Sequence, residues 1–301
     1  MSKAVIAVGL DSYLQSTLLE TCSSQNIRLE HLTWVEWLDS RIHIRMSTEG
    51  RSLLLERNNA VSIQIDKAVG LISFDRTVPR AEWAQASQSD QSYLYSARQS
   101  AWLTMHAMMK RSINQLHHGM LQAHFLSLPH CYAVAAKVNI SVPRWHFSSS
   151  GEHPFYFVCT GNTTLDSTHN FSKSYKPGLL SVEFIEGDPV LILAIGSGFL
   201  AIGADKERRC YRVPNKLKIK LQRLQKVLAL DVVECFFKIR QGVWILQRIS
   251  TRPEWIRWWR DNTKWVCEAI LVVLEGKQQS NDIVVKKALF IDQRLRPNIG
   301  Y

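Results

Sequence analysis

LLSVEFIEGDPVLILAIGSGFLAIGA, residues 179–204, holds two apolar runs, 179–185 and 190–195, on either side of an acidic turn, Glu186-Gly187-Asp188-Pro189. A third run, 199–202, follows Gly196-Ser197-Gly198. β-Branched and aromatic residues bounded by Gly and Pro read as an antiparallel meander, whose middle strand is apolar on both faces and therefore buried. Glu183 inside the first run, with Glu186 and Asp188 at its turn, puts three carboxylates into six residues of a basic chain.

The basic character is a property of the whole sequence. Among 301 residues, 37 Lys and Arg face 26 Asp and Glu, a formal net charge of +11, so the surface attracts phosphates, acidic peptides or anionic membranes. A hydrophobic content of 46% supports one large or two to three small domains. Cysteines at 22, 131, 159, 210, 235 and 267 form no C-x-x-C pair, and no apolar run with a cleavage site opens the chain. These features are those of a protein with free thiols in a reducing cytoplasm. No apolar stretch reaches the roughly 20 residues of a membrane span, and the longest, 266–274, is interrupted by Glu268.

Upstream, 3–10 reads as a strand ending at Gly9, Asp11-Ser12 as a helix N-cap, and 13–23 as a helix. A strand over 28–34, a helical turn over 34–40, a hairpin within 42–63 around Glu49-Gly50 and a buried strand over 67–75 complete a small α/β lobe with a partly parallel sheet. Gly9 alone lacks the three-glycine spacing of a dinucleotide loop. From 90 to 126 the pattern turns helical, with Tyr93, Ala97, Ala101, Met105 and Met108 recurring at three and four residues, and a break near Asn114. This helix packs on the first lobe. His106, His117, His118, His124 and His130 have no i, i+4 pairing beside a carboxylate, so they read as solvated or core-edge groups and not as metal ligands.

Further on come PHCYAVAAKVNISVP (129–143), a short helix ending in Asn139 and a Val-Pro; a strand over 145–147; a strand over 155–158; and the polar loop Cys159-Thr160-Gly161-Asn162-Thr163-Thr164. After the quoted stretch, 214–230 reads as a helix, 232–239 and 243–247 as a hairpin, and 265–274 as a last helix. In this order, with VEFIEG as hinge, the chain resembles the ATP-grasp ligases, most closely the carboxylate-amine ligase branch that modifies ribosomal peptides and proteins. The resemblance implies an α+β, ATP-grasp-like fold with a small α/β N-terminal lobe followed by two α+β lobes. Its expected divisions are 1–88, a helical segment and central lobe over 89–178, a hinge and closing lobe over 179–276, and a tail over 277–301. It implies an adenine pocket lined by the hinge, with Glu183 and Glu186 near the ribose. Lys206 and Arg208, in ADKERRCYR, fall where family members place cations facing the triphosphate; as a charged run they also read as a solvated basic turn.

The chemistry departs from the resemblance. Phosphoryl activation needs cations on the triphosphate and carboxylates on Mg²⁺. The family's two lysines fall near 128–130 and Cys159, its Glu-x-Asn metal ligands on Gln247-Arg248-Ile249, and its other metal carboxylate near Phe236, with Glu234 two positions away. None is retained by type, so ATP is a doubtful cofactor and Mg²⁺ is not expected. The remaining distinctive run, TRPEWIRWWRDNTKW (251–265), interleaves four Trp with three Arg and a Lys. Trp255, Arg257, Trp258, Trp259 and Arg260 suit a protein or peptide interface, or nucleic acid through stacking and phosphate contact. They equally suit a core edge from which arginines reach outward. In the family this segment borders the acceptor pocket.

Three functions follow. The first is a degenerate ATP-grasp-like pseudoenzyme acting as a substrate-binding or regulatory partner in peptide or protein modification, in complex with an active ligase. The second is a divergent but active ATP-dependent carboxylate-amine ligase. The third is a basic nucleic-acid-binding protein.

Overall fold

The computed structural model describes residues 3–48, 50–57, 62–74, 78–79, 87–114, 128–147, 157–158, 180–205, 208–251, 253 and 258–276. They fold as two compact units, one of 1–124, 195–198 and 254–301, the other of 125–194 and 199–253.

In the first unit, β1 (Lys3–Val8) leads into α1 (Ser12–Ser24), whose N-cap Asp11 accepts the Leu14 N–H at 2.8 Å. β2 (Ile27–Leu32) returns parallel to β1, from Lys3 opposite Ile27 to Val8 opposite Leu32. α2 (Trp34–Asp39) starts with a reciprocal cap: Thr33 Oγ1 accepts the Glu36 N–H, and the Glu36 carboxylate accepts the Thr33 N–H at 2.7 Å. β3 (Arg41–Ser47) and β4 (Gly50–Glu56) pair as the expected hairpin, joined by β5 (Ile63–Gln64). β6 (Gly70–Ile72) flanks β1 on its other side, giving the parallel order β2-β1-β6. Gly9, at φ +68°, closes this layer: a Cβ there would lie 2.1 Å from Trp34 Nε1, so the glycine makes room for an indole.

α3 (Gln88–Met108) carries Trp102, Met105 and Met108 into the same core as Ile6, Val8, Leu32, Trp37, Leu53 and Leu55. The helix therefore packs on the first lobe, as its periodicity requires. Asn114 adopts a left-handed φ of 51°, close to the expected break.

The second unit contains α4 (Leu128–Lys137), β7 (Trp145–Phe147), β8 (Phe157–Val158), β9 (Leu180–Val182), β10 (Asp188–Ile195), β11 (Gly198–Gly203), α5 (Asn215–Leu228), β12 (Val232–Arg240) and β13 (Val243–Ser250). Its larger sheet runs β11-β10-β12-β13 and its smaller one β7-β9-β8. Residues of α4 and α5 pack on one face of the larger sheet, through Cys131, Ala135, Leu217, Leu221, Leu224 and Leu228.

The quoted stretch is only partly a meander. β10 is buried from Val190 to Ile195, and β11 follows it across a two-residue turn at Gly196 (φ +55°). β9, however, belongs to the other sheet, with Val182 opposite both Trp145 and Phe157. The acidic segment between them is a crossover. Glu183 holds its start on the end of β7, donating its N–H to Arg144 O at 2.8 Å and accepting the Arg144 N–H at 3.1 Å. At its end a Cβ on Gly187 would lie 2.3 Å from Ile239 O, so only glycine lets the chain pass β12 this closely.

The last helix, α6 (Thr263–Glu275), rejoins the first unit: Cys267 Sγ lies 3.9 Å from Leu14 O, and Arg111 donates to Val273 O at 3.0 Å. Among the described residues no helix is long and apolar enough to cross a membrane.

Candidate functional site

The crossover at 183–187 carries the hinge residues, and β12 supplies their partner. Strand alternation sends Val233, Cys235 and Phe237 into the helix-covered core. Glu234, Phe236 and Lys238 therefore occupy the opposite face. From there Lys238 Nζ donates to Ile185 O at 2.7 Å and lies 4.5 Å from the centre of the Phe184 ring. Burial holds the ammonium below its usual pKa, while Glu186 opposes that shift. The lysine side chain thus occupies a hinge carbonyl and one face of the hinge aromatic. The residue escaped the sequence reading, although the period of two in VVECFFKIR already sets Lys238 on the same side as Glu234.

Glu183 is engaged structurally. Beyond its bonds to Arg144, its other oxygen lies 3.9 Å from Arg240 Nη1. Glu186 is exposed. Arg208 is exposed in a tight turn, where its N–H donates to Asp205 Oδ1 at 3.0 Å and Gly203 donates to Arg209 O at 2.7 Å. Lys206, Trp255 and Arg257 lie outside the described residues, as do the loop at 159–164, His117, His118, His124 and the tail.

The closing hairpin shows what stands at the metal positions. Phe236 pairs with Arg248 and Glu234 with Ser250, with a register shift after Phe236 that accommodates Gln247. Gln247 bonds locally: its amide donates to Ile245 O at 3.2 Å, and its backbone carbonyl accepts the buried Tyr132 hydroxyl at 3.0 Å. A phenyl ring at Phe236, a turned-back amide at Gln247 and a buried aliphatic chain at Ile249 do not fit Mg²⁺, which requires near-octahedral oxygen donors. Glu234 is the one carboxylate on this face of β12, and it is buried. Among the described residues no three His, Cys, Asp or Glu side chains gather as a metal site.

The Trp/Arg run is divided by burial. Trp259 is 0% exposed and Trp258 8%, so neither ring offers a face to a partner, which corrects the interface reading at these two positions. Both precede α6, whose apolar residues turn inward over most of its circumference. Arg260 is exposed, its guanidinium 5.0 Å from the centre of the Tyr13 ring on α1.

His106 also departs from its expected solvated or core-edge setting. It is buried against Trp102, ring centres 4.6 Å apart, with Nδ1 2.7 Å from Ser112 Oγ. Burial pushes its pKa down to about 3, so the ring is neutral. His130 is exposed. Cys22, Cys131, Cys235 and Cys267 are buried free thiols, all pushed upward by desolvation, which leaves none of them an activated nucleophile.

The chain matches no protein-family model and no curated protein. Solved structures are similar over nearly its whole length. The macrocyclase MdnC of Microcystis aeruginosa MRC, bound with precursor peptide MdnA, is 11% identical with a TM-score of 0.72, covering 90% of this chain and 99% of that one. A RiPP-associated ATP-grasp ligase of Chryseobacterium gregarium, in complex with ADP and a leader and core peptide, is 10% identical with a TM-score of 0.70, covering 91% and 96%. The macrocyclase MdnB of Microcystis aeruginosa MRC is 12% identical with a TM-score of 0.63, covering 91% and 99%. At such identities the likeness is one of fold.

Proposed function

We propose that this chain, which has the α+β ATP-grasp fold, is a degenerate ATP-grasp protein that captures a peptide or protein, as a substrate-binding or regulatory partner in peptide modification. The observation that carries the reading is what stands where the resemblance puts metal ligands: the ring of Phe236, a Gln247 amide turned back onto Ile245 O, and the buried aliphatic Ile249. Arg248, between two of these positions, brings a positive charge and no oxygen donor, and one buried carboxylate, Glu234, supplies too few hard oxygens to hold a divalent cation. Lys238, half-buried on the same face of β12, adds a second basic side chain there, held on the hinge carbonyl. Peptide capture is supported by the company of the fold, since MdnC and the Chryseobacterium ligase are both solved with peptides.

Nucleotide titration tests this. ATP is expected to bind weakly, and with the same affinity whether or not Mg²⁺ is present, because only burial of the base and cations such as Lys206 or Arg208 would hold it. Calorimetry reads both arms. Micromolar binding that requires Mg²⁺ would overturn the reading in favour of a divergent active ligase, the alternative that Glu234 keeps open through its place on the same strand face as Phe236.

A further inference from the structure

Between Arg208 and Leu230 the sequence has eight Lys and Arg and no Asp or Glu, which leaves a net +3 for all the rest of a +11 chain. Five of the eight lie on α5. Its Leu217, Leu221, Leu224 and Leu228 are buried in the core of the second unit. A helical turn of 100° per residue therefore sets Lys216, Ile219, Arg223, Lys226 and Val227 on the outward side. All five are exposed, Ile219 at 51% and Val227 at 56%. Lys220 is set apart, because its Nζ donates to Asn139 O beyond the end of α4.

Local stability does not explain this face. Lys216 and Lys218 sit in a first turn that has no acidic residue, against the positive end of the helix dipole, and Pro214 supplies no side-chain cap. Lys216 and Lys220, Lys220 and Arg223, and Arg223 and Lys226 are like charges three or four residues apart, a destabilising arrangement. None of the ion pairs between described residues involves α5. An anionic partner removes all of these costs together.

The two aliphatics define which anion. Ile219, Arg223 and Val227 form one i, i+4, i+8 row, bordered by Lys216 and Lys226. A nucleic-acid backbone gains nothing from Ile219 and Val227, and the stacking rings a single strand needs are absent from this face. An amphipathic helix with acidic flanks meets both features, its apolar residues on Ile219 and Val227 and its carboxylates on the cations.

We propose that the outward face of α5 is a docking surface for an acidic amphipathic helix of the partner; this rests on the peptide-capture reading above and gives it a place and a chemistry. The probe is a fluorescein-labelled peptide of about 20 residues, long enough to be helical, with Leu at three- and four-residue spacing and Glu elsewhere. A scrambled peptide of the same composition and an oligo-dT strand are the comparisons. The full chain is expected to bind the ordered peptide at least about tenfold more tightly than the scrambled one. Arg223→Glu with Lys226→Glu, and separately Ile219→Ser with Val227→Ser, should each weaken it about tenfold with the melting temperature kept. Arg223→Gln with Lys226→Gln serves if the reversal does not fold. Equal binding of ordered and scrambled peptides overturns the proposal, as does preferred binding of oligo-dT that falls on the order of a thousandfold between about 50 and 200 mM salt. Ordered-peptide binding unchanged in every variant removes α5 but leaves peptide capture standing, whereas a folded wild type that binds neither peptide removes both.

Discussion

Trp259→Ala is expected to cost about 3–5 kcal/mol of folding stability, the range for truncating a large aromatic in a core. The ring has no exposed surface, so its truncation leaves a cavity at a core position. Arg260→Ala, one position on, removes an exposed guanidinium and should stay within about 0.5 kcal/mol. Urea unfolding of the two variants measures the contrast. A Trp259→Ala protein as stable as wild type but impaired in peptide capture would return this ring to a partner surface.

Stability should also fall steeply with acid, through His106. Its folded pKa of about 3 lies below the usual 6.5, so between those values the unfolded chain binds a proton that the folded chain refuses. The sign is fixed by that difference: the contribution is complete above pH 6.5 and is lost as pH falls from 6.5 toward 3, at up to roughly 1.4 kcal/mol per pH unit. His106→Gln keeps a polar group facing Ser112 and removes the titration. Chemical denaturation at a series of pH values should therefore show a shallower acid slope for the variant, and an identical slope in the two proteins would mean that other groups set the dependence.

Much of the architecture could be read from short-range pattern, because its determinants are short-range. Asp11 before an amphipathic run and the three- and four-residue spacing that carries Met105 and Met108 inward are written in neighbouring residues, and so are α1 and α3. The crossover at 183–187 is not. Gly and Pro mark where a strand stops, but the strand it then joins is fixed by the register of β9 on β7 and by the approach of Gly187 to Ile239, far away in sequence. Trp258 and Trp259 illustrate a different ambiguity: an indole suits a core and an interface equally well, and alternation with arginine does not distinguish them. Lys238 was legible as a position but not as a partner, since its acceptor, Ile185, lies 53 residues earlier.

The return of α6 to α1 has a consequence for how the chain is made. Cys267 meets Leu14 across 253 residues, and Lys3 pairs with Glu275 at 3.1 Å, so β1 and α1 wait during synthesis for a helix encoded about 250 residues later. At about 5–20 residues per second that wait is roughly 10–50 s, during which α1 lacks the helix that packs on it. The second unit is encoded wholly within the interval and can finish first. A chain truncated before α6 would therefore carry its defect in α1, about 250 residues upstream of the break, with the second unit left whole.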